Sequence, residues 1–260
     1  MNSANNPIGV FDSGVGGISV LSELYKLMPC EDYIYLGDSK NAPYGTKTED
    51  EIKKYTKESV KRLTSLGVKA IVIACNTATS VAADELRQSY DIPIIGIEPA
   101  VKPAATRHKG QNVVVMATPM TLKKEKFISL MDSYSDVSKI IPLPCPNLVE
   151  IIEKGLTEGK EIDVYLENLF APFKDTKISA IVLGCTHYPF IKNAIRQSLG
   201  YDVDIIDGGY GTAKETKRRL AESDLLSASQ DRGTIDFISS MENENEINLM
   251  KKMFETAIDV

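Results

Sequence analysis

The sequence contains few cysteines, no dense run of basic residues and no long apolar run. Its 260 residues include only four cysteines, without a CxxC pair, so we expect reduced thiols and no disulfide framework. The formal net charge of −6 argues against nucleic acid or an anionic membrane as the main partner. Because no apolar run approaches the ~18 residues that a membrane span requires, we expect no transmembrane segment.

The amino-terminal residues 1–7 also lack the features of a secretory signal. They contain neither a basic n-region nor an apolar h-region. We therefore expect a soluble, cytoplasmic protein. With 43% hydrophobic residues, a chain of 260 residues can bury one large core or two modest ones, and two lobes are the natural expectation for this length.

An internal repeat is the most informative feature that the sequence does contain. Residues 70–77 (AIVIACNT) and 180–187 (AIVLGCTH) are both β-branched runs that end in a cysteine and two polar residues. Two further pairs of segments match in the same order: residues 8–13 with 113–118, and residues 94–97 with 204–207. Counted at a separation of 106 residues, Thr118 is the predicted counterpart of Asp12. The repeat predicts a duplicated half, with two symmetry-related thiols facing one site.

The hydrophobic pattern predicts an α/β fold. Strands are predicted at residues 8–11, 33–37, 70–74, 94–97, 113–117, 139–142, 180–184 and 203–206, mostly as continuous apolar runs. Helices are predicted at residues 18–27, 49–66, 80–90, 122–134, 148–156, 164–170, 190–199, 211–223 and 246–256. Strands that alternate with helices form parallel βαβ units. We therefore expect two pseudo-symmetric lobes, each a mainly parallel sheet flanked by helices, with the active site between them.

The lobe boundaries are predicted from the connecting segments. The proline-containing stretch 96–103 is the expected crossing into the second lobe, and a return near residues 207–209 would bring the last helices back to the first. Lobe one is therefore predicted to comprise residues 1–98 plus 208–260, and lobe two residues 99–207.

Polar or thiol side chains follow the ends of several predicted strands. These residues are Asp12, Asp38, Cys75, Thr118 and Cys185. Ligands of such sheets bind beyond the carboxyl ends of the strands, so these residues are expected on the ligand side. Cys75 and Cys185 precede helices, whose free N–H groups and positive dipole end favour the thiolate. Cys30 and Cys145 are interpreted as small packing residues.

Zinc binding is one alternative for the two thiols. Together with His187 and Asp12 they could form a site in principle, but their scattered positions lack the close ligand spacing typical of zinc sites. We therefore predict no metal. His187 is one of only two histidines and lies two residues after Cys185, which favours a catalytic or orienting role.

Dinucleotide binding is a second alternative. The glycine-rich residues 12–17 follow a predicted strand and precede a helix, and Asp38 lies where such folds place their ribose-binding acid. Ser19 stands where the fingerprint requires its third glycine, so a nicotinamide enzyme is the minority interpretation. The loop is also suited to binding a small anion with its backbone donors.

Four motifs together resemble the bacterial glutamate racemases. They are IGVFDSGVGG at residues 8–17, PYG at 43–45, ACNTA at 74–78 and GCTHYP at 184–189. The motifs occur in order and cover both halves of the chain. The resemblance implies a cofactor-independent enzyme that interconverts L- and D-glutamate, supplies D-glutamate for peptidoglycan synthesis and forms a homodimer.

The resemblance also implies roles for individual residues. Cys75 and Cys185 are implied as the two acid/base thiols, because one base alone would tend to regenerate the starting enantiomer. In the L to D direction Cys185 takes the Cα proton and Cys75 gives one to the opposite face. Asp12, His187 and Glu153 are implied as groups that assist catalysis. The candidate substrate-binding residues are Asp12, Ser13, Asp38, Tyr44, Gly45, Asn76, Thr77, Thr118, Thr121, Thr186 and His187.

Two other functions stay open on the sequence alone. An aspartate racemase, or a related two-thiol amino-acid racemase, would share the fold and the chemistry, and pocket size cannot be inferred from these residues. A non-catalytic binding protein that acts on a partner enzyme such as DNA gyrase is an alternative of a different class.

Overall fold

The computed structural model describes residues 3–258, which form two compact units. Unit 1 comprises the residues up to Glu98 together with those from Gly209 onward, and unit 2 comprises Pro99–Gly208. The strands are β1 (Ile8–Asp12), β2 (Tyr33–Gly37), β3 (Ala70–Ile73), β4 (Ile94–Gly96), β5 (Asn112–Ala117), β6 (Lys139–Pro144), β7 (Ala180–Leu183), β8 (Asp204–Asp207) and β9 (Ile235–Ser239).

The helices lie between these strands or follow them. They are α1 (Ile18–Leu27), α2 (Glu49–Ser65), α3 (Asn76–Ser89), α4 (Val101–Arg107), α5 (Pro119–Leu122), α6 (Glu125–Asp132), α7 (Leu148–Glu153), α8 (Lys160–Phe170), α9 (Lys192–Leu199), α10 (Gly209–Glu222) and α11 (Glu244–Ile258). Short 3₁₀ turns occur at Ser39–Asn41, Tyr44–Thr46, Ala171–Phe173 and Tyr188–Ile191. Among residues 3–258, no helix combines the length and apolarity needed to cross a bilayer.

Unit 1 is built on a parallel sheet with the strand order β4-β3-β1-β2-β9. Ile8 of β1 is aligned with Tyr33 on one side and Ala70 on the other. Every residue of β1, β2 and β3 is buried, as expected for strands covered on both faces. Helix α1 packs against α10 and α11, and α2 packs against α3. The continuous apolar runs therefore form the middle of this sheet.

Unit 2 is built on a parallel sheet with the strand order β6-β5-β7-β8. Its core has two parts because successive strand residues point to opposite faces. Val114 and Met116 pack in one cluster with residues of α7, α8 and α9. Val113 and Val115 pack in another cluster with residues of α4 and α6. The expected α/β class, with two parallel sheets flanked by helices, is confirmed.

The two sheets share one topology, since β1 to β4 and β5 to β8 occupy the same positions in their strand orders. In each unit the backbone N–H of the residue before the cysteine donates to the neighbouring strand, over 2.8 Å in unit 1 and 2.7 Å in unit 2. By these bonds, Cys75 and Cys185 occupy equivalent positions in their own sheets. With the strand register the same bonds make Thr118 the counterpart of Ser13, so its predicted pairing with Asp12 is wrong by one residue.

The long helix α2 has the predicted start. The Thr48 hydroxyl accepts from the Glu51 backbone N–H at 3.4 Å, and the Glu51 carboxylate accepts from the Thr48 N–H at 2.9 Å. This capping box supplies hydrogen-bond partners at the first turn, where the helix itself offers none. Just beyond the helix, Gly67 adopts a φ of 77°, the left-handed conformation that favours glycine after a helix end.

Three of the differences from the predictions have a direct physical reason or concern a whole element. Strand β9 was not predicted; it is mostly half-buried and lies at the edge of its sheet, so its apolar pattern is weak. Helix α4 contains Pro103 and was taken for a connection, but a proline is tolerated in the first turn, where its N–H would have no intrahelical acceptor. The helix predicted at residues 122–134 is the shorter α6, and the separate short helix α5 before it was not predicted.

Candidate active site

Cys75 lies between β3 and α3 and caps the helix. Its Sγ accepts hydrogen bonds from the Ala78 backbone N–H at 3.4 Å and from the Ser13 hydroxyl at 3.5 Å. Helix α3 begins at Asn76 rather than at residue 80, so the thiol lies directly at the positive end of a helix of 14 residues. These donors favour the thiolate over the thiol.

Asp12 and Ser13 lie at the end of β1, beside Cys75. Asp12 is fully buried, and its Oδ1 accepts a hydrogen bond from the Gly14 backbone N–H at 3.0 Å. This contact folds the start of the glycine loop back over the strand end, as an Asx turn does. Ser13 is thereby held where its hydroxyl reaches the Cys75 sulfur.

Asp38 and Tyr44 form a hydrogen-bonded pair in the segment that follows β2. The Tyr44 hydroxyl donates to Asp38 Oδ2 at 2.6 Å. Burial raises the pKa of Tyr44 far above its ordinary value, and the charges of Asp38, Cys75 and Asp12 raise it further. Asp12 at the end of β1 and Cys75 just beyond β3 therefore lie close enough for their charges to act on the Tyr44 hydroxyl. Gly45 follows in the same 3₁₀ turn and is half-buried.

Asn41 was not among the predicted residues, yet it completes this arrangement. Its Nδ2 donates to both carboxylate oxygens of Asp38, at 3.0 Å each. The two residues are three apart across a 3₁₀ turn, a separation that places side chains on the same side. That spacing is the sequence signal that could have identified it.

Asn76 and Thr77 form the first turn of α3 and are buried. Both the nitrogen and the oxygen of the Asn76 amide are buried without a hydrogen-bond partner among residues 3–258. A buried amide is costly unless it is hydrogen-bonded. Asn76 therefore offers one donor group and one acceptor to a bound polar molecule.

Cys185, His187 and Glu153 form a hydrogen-bonded series in unit 2. The Cys185 Sγ lies 3.6 Å from His187 Nδ1, and His187 Nε2 lies 2.5 Å from Glu153 Oε1. Burial alone disfavours the imidazolium, but the hydrogen bonds and charges of Cys185 and Glu153 outweigh it and raise the pKa of His187 well above its ordinary value. A protonated His187 donates to both neighbours and so stabilises the Cys185 thiolate.

The expectation that a helix directly follows Cys185 is wrong. A 3₁₀ turn at Tyr188–Ile191 comes first, and α9 begins only at Lys192. The helix dipole acts mainly within the first turn, so it cannot be the main support for this thiolate. His187 supplies that support instead.

Thr118 and Thr121 are brought together at the end of β5. Thr118 caps α5, accepting from the Thr121 backbone N–H at 3.2 Å, and the two hydroxyl oxygens lie 3.0 Å apart. Thr186 lies beside Cys185 and is buried. The predicted site residues of unit 2 therefore lie at the carboxyl ends of β5 and β7, with Glu153 reaching His187 from the end of α7.

Cys145 occupies the strand end in unit 2 that corresponds to Asp38 in unit 1, since each donates its backbone N–H to the neighbouring strand. Burial, and then the charge of Cys185, raise the pKa of Cys145 well above its ordinary value. A thiol that stays protonated is a poor nucleophile, which agrees with the predicted packing role.

Within residues 3–258, no group of three or more His, Cys, Asp or Glu side chains is placed to hold a metal ion. A cavity of about 570 Å³ opens in unit 1 near the start of β4, lined in part by Arg87, Tyr90 and Arg219. None of the predicted site residues lines it.

The sequence and the structure of the chain are both similar to those of known proteins. The model of the Asp/Glu/Hydantoin racemase family matches residues 19–216. The chain is 53% identical over 252 residues to the glutamate racemase of Clostridium perfringens, covering 96% of this chain and 97% of that protein. The structure is similar to that of the glutamate racemase isoform RacE1 from Bacillus anthracis, with a TM-score of 0.87 and 28% identity over 97% of this chain and 95% of that one. It is also similar to the Francisella tularensis glutamate racemase in complex with D-glutamate, with a TM-score of 0.81 and 31% identity over 99% and 95% of the two chains.

Proposed function

Because the chain belongs to the Asp/Glu/hydantoin racemase family and is a racemase, we propose that it interconverts L- and D-glutamate without a cofactor, through Cys75 and Cys185. The observation that carries the proposal is the equivalent placement of these two thiols at the ends of β3 and β7. Each has neighbours that favour its thiolate. The named activity of the relatives supports the choice of glutamate.

The reaction transfers protons on opposite faces of one carbon. With L-glutamate, the Cys185 thiolate takes the Cα proton and becomes a thiol, leaving a carbanion. The Cys75 thiol then gives its proton to the other face, which yields D-glutamate and leaves Cys75 as a thiolate. The reverse direction exchanges the two roles. The mechanism requires both thiols to reach the same Cα.

The energetic demand is large because the substrate carbon is a weak acid. The thiolate of a cysteine with a pKa of about 8.5 must deprotonate a carbon acid more than about ten pKa units weaker, which corresponds to roughly 14 kcal/mol. This lies within the ~8–23 kcal/mol by which enzymes lower barriers. Hydrogen-bond donors directed at the substrate carboxylate are the usual means. Asn76, with its unpartnered amide, and the buried hydroxyls of Thr77 and Thr186 are suited to that task.

The proposal has two wider parts. D-Glutamate is the product that peptidoglycan synthesis needs, so we assign the protein that supply role. We also propose a homodimer, which the family resemblance implies and which the molar mass from light scattering tests directly.

The decisive experiment measures Cα deuterium incorporation and optical rotation in D₂O with purified protein and no added cofactor. L- and D-glutamate are run beside both aspartate enantiomers. We expect turnover with glutamate, and loss of turnover in Cys75→Ala and in Cys185→Ala. Cys30→Ala, which alters a half-buried thiol outside the site, is the control and should retain activity. Full activity in either site variant would refute the two-thiol mechanism, and faster turnover of aspartate would refute the substrate.

A further inference from the structure

We propose that Tyr35 is a positioning residue for the Cys75 half of the site. It acts by fixing the glycine loop that carries Ser13. Tyr35 lies in the middle of β2, is fully buried and was not among the residues identified from the sequence. Its hydroxyl donates to the Gly14 carbonyl oxygen at 2.6 Å. The inference concerns the proposed racemisation and rests on that proposed function.

The Gly14 peptide links Tyr35 to the reacting thiol. The Gly14 N–H donates to Asp12 Oδ1 at 3.0 Å, while its carbonyl accepts from Tyr35. Ser13 lies between Asp12 and Gly14 in the chain, and its hydroxyl donates to Cys75 Sγ at 3.5 Å. Tyr35 therefore fixes one side of the turn whose other side is fixed by Asp12, and Ser13 projects from that turn.

The glycine loop is closely packed around the hydrogen bond between Tyr35 and Gly14. A Cβ placed on Gly17 would lie 2.5 Å from the Asp12 Cβ and 3.0 Å from the Tyr35 hydroxyl oxygen. A Cβ placed on Gly37 would lie 2.8 Å from the Gly14 carbonyl oxygen. Both glycines are thus needed for close approach, Gly17 to Asp12 and the Tyr35 hydroxyl, and Gly37 to the Gly14 carbonyl.

The ring of Tyr35 is in turn contacted from the adjacent edge strand, β9. Phe237 of β9 lies with its ring centroid 6.2 Å from that of Tyr35, and Phe254 of α11 lies 6.0 Å from Phe237. Side chains locked by such neighbours hold a site to the sub-ångström tolerance that catalysis needs. The carboxy-terminal elements therefore act on the Cys75 half-site through Tyr35.

Tyr33 provides a matched control on the same strand. It is also buried, and its hydroxyl also donates to backbone carbonyls, those of Leu24 at 3.1 Å and Met28 at 2.9 Å. These acceptors lie at the end of α1, and none of the predicted site residues is among them. Removing either hydroxyl takes a donor from a buried carbonyl, so both variants should lose comparable stability.

The experiment compares Tyr35→Phe with Tyr33→Phe in the full chain. Steady-state rates are measured with both glutamate enantiomers, and the alkylation of Cys75 by iodoacetamide is followed by peptide mass mapping. For Tyr35→Phe we expect kcat to fall about tenfold with KM changed less than about threefold, because a small displacement of a reacting group is costly in rate. The alkylation rate of Cys75 should change by about threefold or more, since it reports the surroundings of the thiol. Tyr33→Phe should stay within about twofold of wild type in both measurements.

Two results would overturn the inference. One is equal kcat and equal Cys75 alkylation in the two variants. The other is a change in Tyr35→Phe that Tyr33→Phe reproduces at the same loss of thermal stability. If Tyr35→Phe does not fold, Phe237→Leu keeps the hydroxyl while loosening the ring, and it should alter Cys75 alkylation in the same direction. Absence of glutamate turnover in the wild type would refute the proposed function alone, since the alkylation comparison needs no substrate.

Discussion

Cys75 and Cys185 occupy equivalent strand ends but receive hydrogen bonds of different kinds. Cys75 accepts from a backbone N–H and from the neutral Ser13 hydroxyl. Cys185 lies beside His187, whose pKa is raised well above its ordinary value. Hydrogen bonds from charged donors are roughly twice as strong as neutral ones. The two thiols are therefore supported unequally, although the sheets that carry them are alike.

The raised pKa of His187 predicts a pH-dependent contribution to stability. The folded state binds this proton more tightly than the unfolded state does, so the stabilisation is complete below the unfolded pKa of about 6.5 and is lost as the pH rises through the folded pKa. We expect the difference in unfolding free energy between wild type and His187→Gln to be largest at about pH 6 and to shrink towards about pH 9. Urea unfolding across this range measures it.

Glu153→Gln is the companion variant for this prediction. It removes a carboxylate that raises the pKa of His187, so the imidazole titration followed by NMR should move to lower pH. A stability difference that does not vary with pH, together with an unmoved titration, would contradict the assigned cause.

The residues of the site differ in how well the sequence alone identifies them. The repeat led to both thiols, because strands buried on both faces leave a strong and duplicated apolar pattern. The Asp38 contact with Asn41 and the Tyr35 contact with Gly14 carry no such pattern. The first depends on local turn geometry, and the second joins a side chain to a backbone carbonyl on another element.

At the scale of elements, the middle strands were predictable, whereas one edge strand, β9, was not. β3 and β7 are apolar throughout, and β1 and β5 carry a polar side chain only at one end, Asp12 and Asn112. β9 is exposed at its second residue and half-buried at most others, so its pattern is diluted. An edge strand has a neighbour on one side only, and its outward residues need not be apolar.

The edge strand β6 of unit 2 has proline residues that protect it against further pairing. The backbone N–H groups of Lys139 and Cys145, at its start and just beyond its end, donate to the β5 side. By the two-residue period of a strand, Pro142 and Pro144 face the open edge, where neither can donate a hydrogen bond. Proline at outward positions is a known protection of edge strands.

This arrangement predicts the effect of restoring the edge donors. The double variant Pro142→Val, Pro144→Val presents two new N–H groups on an exposed strand, so we expect it to self-associate more than the wild type. Light scattering after size-exclusion chromatography, over a series of protein concentrations, measures the mass. Pro103→Ala, in the first turn of α4, adds no edge donor and is the control. An unchanged mass in the double variant would show that these prolines do not protect the edge.

At the scale of the whole molecule, unit 2 is one continuous segment, whereas unit 1 is made from two separate parts of the chain. Unit 2 has its own sheet and two apolar clusters. The hydrogen bonds that join Cys185, His187 and Glu153 also lie entirely within it. A segment with its own core and its own polar contacts meets the usual description of a domain.

Residues 99–208 expressed alone should therefore fold. We expect a cooperative thermal transition by circular dichroism and a His187 titration that remains above its ordinary pKa, because both partners that raise it are retained. The matched variant is the same segment with Glu153→Gln, in which the titration should fall. A broad, non-cooperative transition would show that this segment depends on the rest of the chain.

The return of the chain to unit 1 has a consequence for biosynthesis. A ribosome makes both cysteines and every proposed substrate-binding residue before it reaches Ile235, where β9 begins. Until that strand emerges, β2 lacks its outer neighbour and Tyr35 lacks Phe237. A nascent or truncated chain can thus carry all the reacting groups while the support for one of them is still unmade. Since domains fold as units during synthesis, we expect the Cys75 half to be completed only after β9 has been made.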